Sequence, residues 1–339
     1  MRLNVLYSAD DNYTDILGIS IISLLENNKH FNEIFIYVID CGIKKESIEK
    51  LRHIVIDTYH RNMVFYKLSL ITDNYEINAP KKSYYGRFFA PIICEENTIL
   101  YLDCDVIINN DLCPLWETDI RDYKIGAVQG PGISKENRDK LNISKEYRYI
   151  NSGVLLINLE EWRKTGLTDQ LLHYLAEKGE IPPYHDQNII NALCYDSTLI
   201  LEPHFNLLWS MMCCRPKDIC KLNCISEYYT EEEIKYAIEN PTIIHFSNSI
   251  YGRPWKKGCT HKYKDIFIKY KNISPWANNA LKDNKISILK KIRYFIYRKA
   301  PSKIYIILQR IERFYIKKIV PLLPNTKSTR FIQNYMNGN

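Results

Sequence analysis

Two carboxylates interrupt an apolar stretch that runs from Ile99 to Ile108. The stretch is rich in β-branched and aromatic residues, which predicts one strand covered on both faces of a sheet. Side chains two positions apart on a strand point to the same side, so Asp103 and Asp105 converge on one point. Buried carboxylates repel each other unless a cation or hydrogen-bond donors compensate, so the spacing suggests a divalent ion shared with a substrate diphosphate. The alternative is a pair at a strand end, facing the solvated turn Asn109-Asn110-Asp111.

A histidine ends another apolar strand. The segment Pro241–Phe246 has the composition of a strand and places His245 near its carboxyl end. A histidine in such a position is more often a structural residue than a ligand. In an open α/β sheet, however, ligands bind beyond the carboxyl ends of the strands, where Asp10, Asp103 and Asp105 are also expected. Two carboxylates and one imidazole, with open positions for phosphate oxygens, suit Mn²⁺ better than Mg²⁺.

Three other charged positions are candidates with more than one interpretation. The basic turn Arg253-Pro-Trp-Lys256-Lys257 would meet a diphosphate as charge develops on it. Arg87 lies in a probable helix over 83–90, either as a surface cation packed on aromatic rings or as a ligand of a phosphate or sugar. Asp186 follows Pro182-Pro183-Tyr184-His185, where it is either an ordinary helix cap or part of a site.

Strands that alternate with helices must position these residues, and they predict an α/β fold. The order βαβαβ at the start of the chain predicts a mainly parallel sheet with right-handed crossovers. No Gly-x-Gly-x-x-Gly follows the first strand, and the chain has only 12 glycines, which disfavours a dinucleotide-binding dehydrogenase. The start of one later strand, Asn151-Ser-Gly, indicates close approach of the backbone to a ligand or neighbour. The predicted elements are strands over 3–7, 34–39, 64–68, 125–128 and 150–158, an amphipathic helix from Thr14, and a helix over 45–59.

Charge is unevenly distributed along the 339 residues. Of the net charge of +7, the part from Lys282 onward carries +12, with 14 Lys or Arg against two acids, which leaves −5 for the rest. The basicity therefore belongs to the tail and predicts a partner for it. With 46% hydrophobic residues the chain can bury a large core, and it has neither a signal-peptide pattern nor an apolar stretch of about 20 residues. We expect a cytoplasmic protein.

The ten cysteines are expected to be reduced. Most lie singly in apolar surroundings, where a free cysteine is an ordinary small core residue. The cluster Cys213, Cys214, Cys220 and Cys224 lacks the paired spacing that is typical of zinc sites.

The tail predicts a basic amphipathic helix of the kind that lies on anionic lipid. A partner protein and nucleic acid are the alternatives, of which nucleic acid is the least favoured. One side of the predicted helix carries Ile304, Ile307, Leu308, Ile311, Tyr315 and Ile319, and the other carries Lys303, Arg310, Arg313 and Lys317.

The chain resembles glycosyltransferase family 8, in particular the bacterial lipopolysaccharide α-galactosyltransferases. Each matching motif is weak alone, but their order over residues 1–260 is specific. The resemblance implies a GT-A fold. We place it over residues 1–276, because the composition changes beyond Trp276, and we expect residues 277–339 to form the membrane-associating tail. The resemblance also implies a UDP-hexose donor, Mn²⁺ (or Mg²⁺), and retention at the anomeric carbon. The motifs are Ser8-Ala-Asp-Asp-Asn-Tyr13, Tyr101-Leu-Asp-Cys-Asp-Val106, Pro114-Leu-Trp116, Asn151-Ser-Gly-Val-Leu-Leu-Ile-Asn158, His185-Asp-Gln-Asn188, His245-Phe and Pro254-Trp.

The resemblance implies specific roles for the residues in these motifs. Arg87, Asp186, Gln187 and Asn151 look like the residues that hold the donor sugar and bring it to the acceptor. Because an amide such as that of Gln187 is a poor nucleophile, front-face departure is favoured, with the leaving diphosphate taking the acceptor proton. Asp103, Asp105 and His245 look like the metal ligands. The donor-binding positions are Ser8, Ala9, Asp10, Asn12, Tyr13, Asp103, Cys104, Asp105, Arg253 and Lys256.

Two positions depart from the family pattern. Asn248 stands where many members have glycine, and Arg253 stands where they have lysine. Arg253 can bind phosphate bidentately, and Lys256 or Lys257 could share that role.

The predicted function is a retaining hexosyltransferase that acts on a cell-envelope glycan at the inner face of the membrane. We expect a UDP-sugar, a glycan or glycolipid acceptor and an anionic membrane as partners, and no nucleic acid. The alternatives are a glycoside hydrolase, whose two carboxylates would flank a bond at about 5 Å or more, and a non-catalytic adaptor that acts through the tail.

Overall fold

Strands and helices alternate along the chain. The computed structural model describes residues 1–72, 82–178, 185–247, 249–284, 294–296 and 302–314. The strands of the described residues are β1 (Arg2–Ala9), β2 (Glu33–Asp40), β3 (Asn62–Lys67), β4 (Thr98–Leu102), β5 (Val106–Ile108), β6 (Ile125–Gln129), β7 (Ile150–Asn158), β8 (Thr198–Leu201) and β9 (Ile243–His245).

Seven of these strands form one sheet, in the order β3-β2-β1-β4-β7-β6-β8. β7 is antiparallel to its neighbours β4 and β6, and the other six strands share one direction. β1 pairs with β2 along its whole length, from Arg2 opposite Glu33 to Ala9 opposite Asp40. β5 and β9 form a separate two-stranded antiparallel sheet. The prediction of an α/β fold with a mainly parallel mixed sheet is confirmed.

The apolar stretch from Ile99 to Ile108 is divided between the two sheets. β4 ends at Leu102, and β5 begins at Val106 after a turn that contains both carboxylates. The Asp103 N–H still donates to Gly153 O at 2.8 Å in the large sheet. The prediction of a single strand is wrong, because the stretch hydrogen-bonds to two different sheets and must turn between them.

Helices cover both faces of the large sheet. α1 was expected to be amphipathic, but 11 of its 14 residues are buried. It packs between β5 and the helix Lys264–Asn272, so both of its sides are covered. Gly18 in α1 leaves room for Trp276, whose ring would lie 2.2 Å from a Cβ at that position. A 3-10 helix spans Lys82–Phe89. The α-helices are α1 (Thr14–Asn27), α2 (Lys45–Arg52), α3 (Leu68–Ile71), α4 (Ala90–Ile93), α5 (Cys113–Trp116), α6 (Lys135–Lys140), α7 (Leu159–Thr165), α8 (Leu167–Lys178), α9 (His185–Cys194), α10 (Trp209–Cys213), α11 (Pro216–Asn223), α12 (Glu231–Glu239), α13 (Lys264–Asn272) and α14 (Ser302–Phe314).

Alternating side chains of the central strands supply two hydrophobic layers. In β4, Leu100 and Leu102 belong to the layer that contains α1, whereas Ile99 and Tyr101 belong to the layer that contains Trp162 of α7. This alternation is the period of two that a strand imposes. Because both faces of β4 are covered, the carboxylates that follow it are held at the edge of a rigid core.

α14 contacts the body of the protein through a small apolar cluster. Leu308 packs with Ile250 and its neighbours, and the Arg310 Nη2 donates to Lys221 O at 3.0 Å. In the described part of the chain, no helix has both the length and the apolar character to cross a membrane. Tyr315, Lys317 and Ile319 of the predicted tail helix lie outside the described residues, and the division of the chain at residue 276 stays a prediction.

All ten cysteines are free, as expected. Within the described residues, no cluster of ligand atoms suited to a metal contains Cys213, Cys214, Cys220 or Cys224.

Candidate active site

The turn between β4 and β5 brings two carboxylates to the buried side chain of His245. Antiparallel pairing places Val106 opposite His245, and the Phe246 N–H donates to Asp105 O at 2.8 Å. The His245 Nε2 lies 3.2 Å from Asp105 Oδ1 and 3.8 Å from Asp103 Oδ2. The side chain of His245 is 3% exposed, whereas that of Asp103 is 28% exposed. The trio is therefore enclosed by the protein on the side of His245 and open to solvent on the side of Asp103.

A glycine makes this approach sterically feasible. A Cβ at Gly153 would lie 2.3 Å from His245 Cε1 and 2.7 Å from Asp103 Oδ2. At these distances the imidazole or the carboxylate would have to move, so the position favours a residue without a side chain. The expectation that the backbone of β7 closely approaches a neighbour is confirmed, and the neighbour is the carboxylate–imidazole trio itself.

The trio has the chemistry and spacing of a divalent-metal site. Its three ligand atoms, two carboxylate oxygens and one imidazole nitrogen, lie within 4.8 Å of one another. Burial disfavours the charged forms of His245 and Asp105. The hydrogen bond between them nevertheless raises the pKa of His245 and lowers the pKa of Asp105. A group of oxygen and nitrogen ligands with one open side fits Mn²⁺, which accepts imidazole together with carboxylates.

Arg87 is buried beneath the carboxylates. Its guanidinium lies 4.0 Å from the ring centroid of Tyr101, and its Nη2 donates to Asp103 Oδ1 at 3.0 Å. Its Nη1 lies 3.2 Å from Asp186 Oδ2 and donates to the carbonyl of Ser152. At 3% exposure it is not a surface cation, so that interpretation is wrong. The 3-10 helix carries Arg87 inward, where its charge is neutralised by two carboxylates.

Asp186 belongs to the same ion-pair network. It is the second residue of α9, its Oδ2 accepts a hydrogen bond from Ser152 Oγ at 3.0 Å, and it pairs with Arg87. Burial raises the pKa of Asp186 to about 6, and Arg87 opposes that shift. The interpretation of Asp186 as part of a site is supported, because the carboxylate contacts both β7 and the guanidinium.

A row of amides joins this network to His245. The Asn151 Nδ2 donates to Gln187 Oε1 at 2.9 Å, and the Gln187 Nε2 donates to Tyr149 OH at 3.1 Å. The Asn206 Nδ2 donates to Asn151 Oδ1 at 2.8 Å, and the Asn206 Oδ1 lies 3.0 Å from His245 Nδ1. Sequence reasoning did not identify Asn206. The available signal was one polar residue in the apolar segment 205–208, since a buried amide there must have partners.

The ends of β1 and β4 meet the basic loop on the other side of the trio. The Ser8 Oγ donates to Ser83 O at 2.8 Å, and the buried Cys104 thiol donates to Ser8 O at 3.4 Å. The Arg253 Nη1 donates to Tyr13 OH at 2.8 Å, and its Nη2 lies 3.8 Å from Asp105 Oδ2. The predicted nucleotide-side residues are therefore contiguous with the carboxylates. Of the others, Ala9 is buried, Asp10 accepts from the N–H of Asn12 at 2.9 Å, and Asn12 is exposed.

A polar cavity of about 560 Å³ adjoins this loop and is lined by Asn12, Tyr13, Arg253 and Lys256. Asp103 and Asp105 do not line this cavity, so it is not centred on the carboxylates, and Arg253 both lines it and lies near Asp105. Burial and the charge of Arg253 lower the pKa of Lys256. The side chain of Lys257, by contrast, is 64% exposed and pairs with Asp283 at 2.8 Å, so Lys256 is the better placed of the two lysines.

The α/β fold thus gathers carboxylates, an imidazole and a buried guanidinium at strand ends, where open α/β sheets bind their ligands. The chain matches glycosyl transferase family 8 over residues 4–259, most of its length, and belongs to that family. The prediction of a glycosyltransferase is confirmed, and this membership favours it over the hydrolase and adaptor alternatives.

Relatives of the chain are known from several bacteria. General stress protein A of Bacillus subtilis (strain 168) is 30% identical over 283 residues, which cover 81% of this chain and 94% of that protein. A lipopolysaccharide 1,2-glucosyltransferase of Escherichia coli is 29% identical over 310 residues, covering 87% of this chain and 86% of the relative. The crystal structure of the galactosyltransferase LgtC with donor and acceptor sugar analogues superposes with a TM-score of 0.64 at 22% identity, over 81% of this chain and 96% of that one. The last likeness demonstrates the shared fold.

Proposed function

We propose that this family 8 enzyme is a metal-dependent retaining transferase. It moves a hexose, galactose or glucose, from a UDP-sugar to lipopolysaccharide or another cell-envelope glycan. The observation that carries the proposal is the convergence of Asp103, Asp105 and His245 between two cationic side chains, Arg253 and Arg87. The similarity to a lipopolysaccharide glucosyltransferase and to a galactosyltransferase supports the sugar and acceptor classes.

Asp103, Asp105 and His245 would hold the metal. Mn²⁺ is proposed over Mg²⁺ because one ligand is an imidazole, which Mg²⁺ binds poorly. When bound, the ion supplies positive charge to the diphosphate as it leaves the sugar.

Arg253 and Lys256 would bind the diphosphate. The Arg253 Nε is buried and has no hydrogen-bond partner among the described residues, so a donor is available for an anion. A buried unsatisfied donor is costly, and a phosphate oxygen would satisfy it with a charge-assisted hydrogen bond. The guanidinium already sits between Tyr13 and Asp105, which orients it toward both the nucleotide side and the carboxylates.

Gln187 acts as a positioning group for the sugar rather than as a nucleophile. Its Oε1 accepts hydrogen bonds from Asn151 Nδ2 at 2.9 Å and from the Ser152 N–H at 3.2 Å, and its Nε2 donates to Tyr149. An amide oxygen held by two donors is a poor attacking group. In the front-face reaction the bond from the anomeric carbon to the phosphate oxygen breaks, the bond to the acceptor oxygen forms on the same face, and the acceptor proton moves to the departing phosphate.

The proposed location is the cytoplasmic face of the cell membrane. In α14, Ile304, Ile307, Ile311 and Phe314 form one stripe, and each residue is between 47% and 61% exposed. An exposed apolar stripe on a helix within a tail of charge +12 is typical of binding to anionic lipid. We expect the full chain to float with phosphatidylglycerol vesicles but not with phosphatidylcholine vesicles, and Ile307→Glu with Ile311→Glu to abolish flotation. Flotation unchanged by the double substitution would contradict this location.

The test of the activity is release of UDP from a panel of UDP-sugars, with and without Mn²⁺ and in the absence of acceptor. We expect slow, metal-dependent turnover of one sugar by the wild-type chain and turnover about 10²- to 10³-fold slower by Asp105→Asn. Turnover independent of any divalent ion would contradict metal dependence. Failure to bind UDP or any UDP-sugar by calorimetry would contradict the proposed donor.

A further inference from the structure

The amide row between β7 and His245 has a fixed polarity. It consists of Gln187, Asn151 and Asn206, all buried or nearly so, and its members come from α9, β7 and the segment that follows β8. Asn206 has no exposed surface, and both ends of its side chain are bonded, to Asn151 and to His245. A side-chain amide has one accepting and one donating end, so the orientation of each member is constrained by the next.

Two backbone N–H groups of β7 set that polarity. The Ser152 N–H donates to Gln187 at 3.2 Å, and the Gly153 N–H donates to Asn151 at 3.1 Å. A backbone N–H can only donate, so each amide must turn its oxygen toward it. The nitrogen of Asn151 then faces the oxygen of Gln187, and the oxygen of Asn151 also faces Asn206.

The polarity is transmitted through Asn206 to the imidazole. Because the oxygen of Asn151 faces Asn206, Asn206 must offer its Nδ2 there and turn its Oδ1 toward His245 Nδ1 at 3.0 Å. An oxygen facing this ring nitrogen requires a hydrogen on it, since two facing acceptors would repel. The Nδ1 is therefore protonated, and the Nε2 is the nitrogen that faces Asp105 and Asp103. In the metal-free protein the Nε2 also lies within hydrogen-bond distance of Asp105, and a bound cation would take the place of its hydrogen.

We infer that Asn206 is a positioning residue that accepts the Nδ1–H of His245 and so keeps Nε2 as the nitrogen on the side of the carboxylates, where a metal would bind. The partner of the other ring nitrogen commonly fixes a metal-binding histidine, and loss of such a partner lowers metal affinity about 10- to 100-fold. The inference rests on the proposed function only in assigning the metal. The tautomer is a property of the protein alone.

The first measurement is the nitrogen NMR spectrum of ¹⁵N-histidine-labelled, metal-free full chain at alkaline pH, with the His245 signals assigned from His245→Asn. We expect Nδ1 to carry a hydrogen in the wild type and to lose it in Asn206→Leu, where only Nε2 still faces an acceptor, Asp105. The second measurement is Mn²⁺ affinity from the electron paramagnetic resonance of free Mn²⁺, with no donor present. We expect it to fall about 10- to 100-fold in Asn206→Leu.

Two further variants separate positioning from a general loss of structure. Asn28 is also fully buried and bonds to Leu24 O and to the Leu112 N–H, so Asn28→Leu is the matched control and should leave tautomer and affinity unchanged. Asn206→Asp loses the donor to Asn151 but keeps an acceptor for the Nδ1–H, so it should retain the hydrogen on Nδ1 even if Asn206→Leu does not fold.

Retention of the Nδ1–H tautomer and of Mn²⁺ affinity within about twofold in Asn206→Leu would overturn the inference, and so would loss of the tautomer in Asn206→Asp. If the wild type binds no Mn²⁺, the proposed metal dependence fails, whereas the tautomer experiment still decides the role of Asn206.

Discussion

Two trios of metal-ligating side chains lie at different depths in the described part of this molecule. In each trio the three ligand atoms lie within 4.8 Å of one another. The buried trio is Asp103, Asp105 and His245, and the surface trio is His30, Asp111 and Cys113.

The trios differ in what holds their ligands. His30 is 47% exposed, and its Nε2 contacts Asp111 Oδ1 at 3.0 Å and Cys113 Sγ at 3.1 Å. Burial and the neighbouring Asp111 raise the pKa of Cys113 to about 11, so the thiol is protonated near neutral pH in the metal-free protein. The imidazole of His245, by contrast, is held on its far side by Asn206. Proximity of ligand types is therefore not sufficient, and orientation by neighbouring hydrogen bonds distinguishes the buried trio.

The largest expected effect is on turnover. Asp105→Asn removes a carboxylate that faces both His245 and Arg253, and we expect metal-dependent UDP release to fall about 10²- to 10³-fold. Asp111→Asn removes the corresponding carboxylate of the surface trio and should change the rate by less than about twofold. Equal losses in the two variants would break the distinction between the trios.

A glycine tests how tightly the buried trio is packed. Gly153→Ala places a methyl group 2.3 Å from His245 Cε1, and we expect Mn²⁺ affinity to fall at least about tenfold and stability to fall by about 1–3 kcal/mol. Gly130→Ala is the matched control, because its Cβ would lie 3.6 Å from the nearest atom, an ordinary contact. Thermal unfolding and Mn²⁺ titration measure both effects. Wild-type affinity in Gly153→Ala would show that the trio can relax.

Removal of metal tests which trio binds it. At a Mn²⁺ concentration 100 times the dissociation constant, binding stabilises the folded state by about 2.7 kcal/mol. We expect a chelator to abolish this stabilisation in the wild type and in His30→Ala, and Mn²⁺ to have no effect on the melting temperature of Asp105→Asn. Loss of the effect in His30→Ala would assign the ion to the surface trio.

A histidine outside both trios predicts a smaller dependence of stability on pH. His261 is buried among Phe246, Tyr251 and Tyr263, and burial lowers its pKa from 6.5 to about 4. The unfolded chain binds the proton more readily, so this contribution to stability is present above about pH 6.5 and is lost as the pH falls toward 4. The loss between about pH 7 and pH 5 is about 2 kcal/mol.

Denaturant unfolding at several pH values measures this loss. His261→Asn keeps an acceptor for the N–H of Tyr263, which His261 Nδ1 accepts at 3.3 Å. We expect the variant to be less stable near neutral pH but to lack this part of the pH dependence. The same slope in both proteins would contradict the assignment to His261.

Much of the site could be predicted because the candidate ligand residues differ in type from their immediate neighbours in the sequence. Asp103 and Asp105 stand out as charges in an apolar stretch, and His245 stands at a strand end. The rule that ligands bind at the carboxyl ends of parallel strands was sufficient to predict that these three residues and Asp10 lie at the same edge of the sheet. Arg87 and Asp186 were harder, because a buried and an exposed charged residue look alike until the opposite charge that neutralises them is located.

The sequence by itself determined the alternation of strands and helices, the residue types at the strand ends and the basic tail, because periodicity and composition are properties of neighbouring residues. Only the tertiary structure decided that the carboxylate stretch divides between two sheets and that Asn206 supports His245. Its partners are 39 and 55 residues away, and they meet because β9 pairs with β5 and because Gly153 lets β7 approach His245. The donor and acceptor ends of each amide are set by residues of other elements, so no local sequence pattern encodes their orientation.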